Sequence, residues 1–155
     1  MTSESHNFDK KLALFYFAYR TFSKTSDELL ADYHMTKVHR RILFFVARLP
    51  GLTVNELLQV LDISKQALNR PMQELIQKKW LETRINNEDK RSKRIYLTNT
   101  GQEIDQQISS AQKEKMQQIF IESGDPTGEN WTKVMTLYAN EVGEEFIDWI
   151  APTEK

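Results

Sequence analysis

ISKQALNRPMQELIQKKWLETRINNEDKRSKRIYLTNTG, running from Ile63 to Gly101, is the stretch whose reading decides the fold. Leu68, Met72, Leu75 and Ile76 recur at spacings of four and three, which puts them on one buried face of a helix. Lys65, Gln66, Asn69, Arg70 and Gln73 then face outward. Trp80 to Ile85 and Ile95 to Leu97 read as short strands joined by the polar turn Asn86 to Arg94, which carries Lys90, Arg91, Lys93 and Arg94. A helix of major-groove width followed by a basic hairpin can touch double-stranded DNA twice, in a groove and along the backbone.

Upstream, Thr53 is placed to cap a short helix carrying Val54, Leu57, Leu58 and Leu61. The turn Leu61-Asp62-Ile63-Ser64 follows, and Ser64 can accept from the free N–H groups of the next helix. Two short helices with a tight turn make a helix-turn-helix unit. Before it, a helix from about Thr36 to Leu49 starts at Thr36 and stops at Pro50-Gly51. The first helix, about Phe8 to Tyr33, has apolar residues all round its axis, Leu12, Phe15, Phe17 and Tyr19 among them. Such a helix must be covered on several sides, and a second subunit is the expected cover. Downstream, Thr98 or Thr100 caps a long helix to about Glu122, and Ser123-Gly124-Asp125-Pro126 breaks it. One last helix is expected from Thr127 to Ile150, with a broad face that includes Trp131, Tyr138, Phe146 and Trp149.

Composition agrees with this order. The 155 residues, 39% apolar and 28% charged, suit one globular unit. The formal charge of −1 conceals segregation: Ser64 to Arg94 holds nine Lys/Arg against four Asp/Glu, whereas Gln102 to Lys155 holds four against eleven. A basic middle beside an acidic end suits a region that meets a polyanion next to one that avoids it. No apolar run approaches the ~20 residues that span a bilayer. The opening MTSESHNFDKK lacks the order of a secretory signal, and there is no cysteine, so a cytoplasmic protein without disulfide or thiolate chemistry is expected.

With LTVNELLQVLDISKQALNRPMQELIQKKWLE (Leu52–Glu82) followed by NNEDKRSKRIYLTNTG (Asn86–Gly101), nearly the whole chain resembles the multiple-antibiotic-resistance regulator (MarR) family of bacterial transcription factors. Asp89-Lys90-Arg91-Ser92, then Leu97-Thr98 and Gly101, is the most specific part of the resemblance. The resemblance implies a mainly α fold with a small β-hairpin (α+β). A winged helix-turn-helix lobe, approximately residues 36–100, would be flanked by helical dimerisation segments, residues 8–33 and 102–150, within a single MarR-like chain of residues 1–155. It also implies a homodimer, operator DNA as partner, and release of DNA by a small, often phenolic or anionic, effector. Pro71, inside the recognition helix, departs from the pattern. It deletes one helical bond and presses on the Ala67 carbonyl, so either a kink or a separately organised first turn is expected.

Arg70, Asn69, Gln66 and Lys65 carry the donors and acceptors that read guanine and adenine edges, and Ser64 can cap the helix and meet a phosphate. Arg91 suits a narrow minor groove, and Asp89 can hold it by a charge-assisted pair or shape the turn as an Asx residue, two compatible roles. Lys90, Lys93 and Arg94 are expected on phosphates, one of the last two facing the far side of the hairpin. His34, His39 and Arg40 lie near the cleft that the family uses for effectors. They are pocket candidates for an aromatic carboxylate or phenol, with Phe15 and Tyr19 as aromatic walls, although capping or packing explains the histidines and dimer burial explains the two aromatics. The histidine spacing suits no metal site, no cofactor is implied, and no catalytic constellation exists. Two other readings stand beside the ligand-controlled, sequence-specific dimeric repressor. One is an effector-independent architectural or non-specific winged-helix DNA binder, and the other is a winged-helix module for protein contacts.

Overall fold

Helix starts leave backbone N–H groups open; five here follow a serine or threonine, and the hydroxyls of four, Thr2, Thr53, Ser64 and Thr98, accept one of these groups. In the computed structural model, which describes residues 2–150, Thr2 opens α1 (Ser3–Ala31) and Thr36 opens α2 (Lys37–Arg48). Thr53 opens α3 (Val54–Leu61) through a reciprocal capping box with Glu56. Ser64 opens α4 (Lys65–Gln77) and Thr98 opens α5 (Asn99–Glu122). The expected pair α3 and α4 is therefore in place, with Asp62 in the left-handed region (φ 52°) turning one into the other.

Pro71 neither breaks nor divides α4, which runs without interruption from Lys65 to Gln77. Ala67, whose carbonyl loses its donor to the proline, is exposed, so water can replace the missing bond. The hairpin strands are β2 (Leu81–Ile85) and β3 (Lys93–Leu97), paired antiparallel with Thr83 opposite Ile95. A third strand, β1 (Leu52–Thr53), joins the free edge of β3, giving the order β1-β3-β2. Sequence pattern does not reveal it, because two residues show no alternation. Gly51, at φ 89°, turns the chain so that its N–H reaches the Ile95 carbonyl at 2.9 Å.

Leu43, Leu57, Leu68, Leu75 and Ile95 are buried in one core shared by α2, α3, α4 and the sheet. A further correction falls at the C-terminal side. The single helix expected over Thr127 to Ile150 is two, α6 (Glu129–Ala139) and α7 (Glu144–Ile150), because the chain turns at Asn140–Gly143 with Gly143 N–H donating to the Ala139 carbonyl at 2.6 Å. Asp125 caps α6, accepting from the N–H groups of Asn130 (3.1 Å) and Trp131 (3.3 Å). Among the described residues no helix is long and apolar enough to cross a membrane.

Two features fix the lobe to α5. Thr98 accepts from Gly101 N–H at its own helix start and donates to the Lys79 carbonyl at 2.6 Å. The backbone of Gly101 lies so close to Trp80 that an added Cβ would stand 2.1 Å from the Trp80 carbonyl oxygen. Further along α5, Asp105 is buried between two arginines of α2: Arg40 Nη1 at 2.7 Å and Arg48 Nη1 at 2.8 Å. Ser109 accepts from both guanidinium groups and Gln112 from Arg40, while Phe44 lies under the Arg48 guanidinium at 4.0 Å. Removing the carboxylate leaves two cations in a site with little water, which costs about 3–5 kcal/mol. Asp105→Ala should therefore lower unfolding free energy by that order in urea titrations. Gly101→Ala should cost ~2 kcal/mol or more, because backbone rather than a movable side chain blocks the new methyl.

Candidate nucleic-acid interface

The inward face of α4 is fixed by Leu68, Met72 and Leu75, all buried, so its helical period leaves Lys65, Gln66, Asn69, Arg70 and Gln73 exposed. Ser64, also exposed, accepts from Ala67 N–H at 3.1 Å, so its hydroxyl acts as a cap. Arg70 donates through Nε to Glu74 Oε1 at 3.2 Å, and its side chain is 89% exposed. That geometry leaves both terminal nitrogens of the guanidinium open, the pair that a guanine edge engages.

The hairpin turn is built from side chains that accept backbone N–H groups. Asp89 Oδ1 accepts from Arg91 N–H at 3.0 Å and from Arg91 Nε at 3.2 Å, so one carboxylate both shapes the turn and holds the arginine. Asn86, buried although it is an amide, accepts from Glu88 N–H at 3.1 Å and donates to Ser92 Oγ at 2.9 Å. Arg91 itself stays in solvent, 93% exposed at the side chain. Among the described residues Lys65, Lys90 and Lys93 are exposed and have no ion-pair partner.

Arg94, expected on a phosphate, makes contacts within the protein. Its guanidinium donates to the Gly51 carbonyl at 2.9 Å and to Glu88 at 3.3 Å, tying the hairpin to the turn before β1. Lys93 and Arg94 do lie on opposite faces, as strand alternation requires. Arg84, directly opposite Arg94 in the ladder, has no sequence signal that singles it out; it stacks on Tyr96 at 4.0 Å and pairs with Glu82 at 2.6 Å. Asn86 carries no signal beyond its turn position, whereas Glu74 is legible as the residue one helical turn from Arg70.

The five residues expected around an effector are not brought together. Phe15 and Tyr19 line a cavity of about 700 Å³ between α1, α5 and α6, with Met116, Phe120, Trp131 and Lys115 on its other walls. His34, His39 and Arg40 do not line it. His34 is exposed in the turn after α1, at φ 58°. Arg40 is buried, and its guanidinium donates to Asp105, Ser109 and Gln112. His39 is buried: its Nδ1 accepts from Thr36 N–H at 3.0 Å, closing the start of α2. Among the described residues no cluster of three or more potential metal ligands exists.

Burial lowers the His39 pKa, and the nearby Glu74 carboxylate offsets that only in part. A histidine that resists protonation when folded, against ~6.5 when unfolded, makes the unfolded chain the stronger proton binder at mildly acid pH. Stability should therefore be flat above about pH 6.5 and fall as pH drops below it. Urea titrations at about pH 7.5 and about pH 5.5, on either side of that value, should show this loss in the parent chain and a smaller one in His39→Gln.

Residues 34–92 match the model of the MarR family. The HTH-type transcriptional regulator PetP of Rhodobacter capsulatus is 35% identical over 115 residues, covering 74% of this chain and 69% of that protein. A crystallised transcription regulator of the MarR family superposes with a TM-score of 0.73 at 23% identity, covering 93% of this chain and 98% of that one. Reduced AbfR, solved bound to DNA, gives a TM-score of 0.56 at 22% identity over 80% of this chain and 94% of that one. The two structures share the fold with this chain.

Proposed function

This chain belongs to the MarR family of transcription regulators, and from that premise we propose that it is a homodimeric, sequence-specific binder of double-stranded DNA, acting as a repressor that a small aromatic ligand releases. Residues 36–100 form the DNA-binding lobe, while residues 8–33 and 102–150 form the dimerisation region. The observation that carries the reading is the contrast within one helix and one hairpin. Their inner faces are tightly buried, and their outer faces offer Lys65, Gln66, Asn69, Arg70, Lys90, Arg91 and Lys93 to solvent. Amide and guanidinium groups on α4 can discriminate base edges, whereas Lys90 and Lys93 on the wing add affinity without sequence information. Arg91 is held at the tip for a narrow minor groove.

Dimerisation follows from the apolar surface that a single chain leaves wet. Phe8, Leu12, Phe15, Tyr16 and Phe17 of α1 are each about half or more exposed, between 48% and 73%, and α6 and α7 bury no residue of their own. So large an aromatic surface on neighbouring helices is the surface of an interface. Light scattering should give about twice the 18.3 kDa chain mass at micromolar concentration. A monomer would remove the proposed spacing of two recognition helices, ~34 Å apart on successive major grooves.

Selection from random duplexes, followed by titration of the winner, tests the DNA reading. Arg70→Ala should cost ~1–3 kcal/mol and relax preference at one base pair. Lys90→Ala should weaken all duplexes alike and make the slope of log affinity against log salt shallower by about one. Full retention of affinity and preference in both would sink it.

The Phe15–Tyr19 cavity supports ligand control, being of a size that holds a small molecule and lined in large part by aromatic and sulfur side chains with Lys115 as a cation. A phenol or aromatic acid bound there should raise the melting temperature and weaken operator binding. A panel that shifts neither favours the effector-independent binder instead.

A further inference from the structure

His39 sits on α2, which packs against the recognition helix α4. The residue is 4% exposed. Because Nδ1 accepts the Thr36 N–H, the neutral ring carries its proton on Nε2. That Nε2 has no hydrogen-bond partner among the described residues, and Glu74 Oε2 stands 3.6 Å away. The other oxygen of the same carboxylate, Oε1, accepts from Arg70 Nε. A buried donor left unpaired is costly, so the ring draws the carboxylate toward it. The carboxylate in turn takes one particular nitrogen of Arg70.

We propose that His39 is a positioning residue for base reading, acting through Glu74 to hold the Arg70 guanidinium with its two terminal nitrogens directed away from the protein. This rests on the DNA-binding reading above and adds a specificity determinant to it. Alone, an exposed arginine pair such as Arg70–Glu74 is weak, because water and side-chain entropy compete with it. The buried imidazole changes that by fixing the acceptor. The Glu74 side chain is 36% exposed, against 89% for Arg70. Arg70 then reaches DNA with fewer conformations to lose, which favours the base pair that matches its fork over the one that does not.

The test compares the full-length parent with Arg70→Ala, Glu74→Ala, His39→Gln and the double variant His39→Gln/Glu74→Ala. Each is titrated with the selected operator and with duplexes changed at single base pairs. Glutamine at position 39 can still accept the Thr36 N–H, so the start of α2 is kept while the ring is lost. Arg70→Ala should erase preference at one base pair, by about tenfold or more. Glu74→Ala and His39→Gln should each reduce preference at that same base pair by about two- to fivefold. The double variant should be no worse than Glu74→Ala alone, the mark of one residue acting through the other. If His39→Gln instead weakens every duplex by the same factor, with preference at that base pair intact, the residue is structural and the inference is overturned. If Arg70→Ala itself leaves preference unchanged, the recognition-helix reading falls first and the inference falls with it.

Discussion

One buried carboxylate ties the helix-turn-helix lobe to α5. Asp105 on α5 meets Arg40 and Arg48 on α2, and the two guanidinium groups share Ser109 as well. Charges so far from water must be paired and oriented or the fold rejects them. Their planar forks leave few ways to satisfy one carboxylate, one hydroxyl and the Gln112 amide together. The angle between α2 and α5 is therefore fixed by geometry and not by apolar contact alone. Thr98 and Gly101 act at the other side of the lobe, where the start of α5 presses on the backbone of Trp80. Everything that the recognition helix and the wing can do depends on these two attachments.

The wing shows a related division of labour. Four cations lie close together in sequence, and three of them, Lys90, Arg91 and Lys93, remain in solvent. The fourth, Arg94, is committed to the Gly51 carbonyl and Glu88 and so holds the hairpin against β1. Asp89 and Glu88 lie among these cations, and each pairs with an arginine of the same hairpin, Arg91 and Arg94 respectively.

Much of this architecture is legible in the sequence. The helix-turn-helix, its serine and threonine caps, the outward residues of α4 and the double role of Asp89 all follow from local rules: periodicity, capping and turn chemistry. What is not legible is non-local. That Arg40 pairs with Asp105, sixty-five residues away, cannot be read from the neighbourhood of either residue. The partner of Arg94 is a backbone carbonyl forty-three residues upstream. The two-residue β1 has too little sequence to show alternation. The turn that divides the last helical stretch has Gly143 and Asn140 as weak signals within a strongly apolar pattern. Pro71 lies inside an uninterrupted α4, where an exposed Ala67 makes the lost bond at its carbonyl tolerable.

In the proposed dimer, two lobes joined through α1 and the C-terminal helices present α4 and the wing to one face of a duplex. Hydroxyl-radical footprinting of the full chain on a selected duplex measures that geometry directly. Two protected patches about one helical turn apart (~10 base pairs) are expected on the same face, each flanked by weaker protection in the minor groove where Arg91 reaches. One short patch at saturating protein, or uniform protection without periodicity, would contradict it.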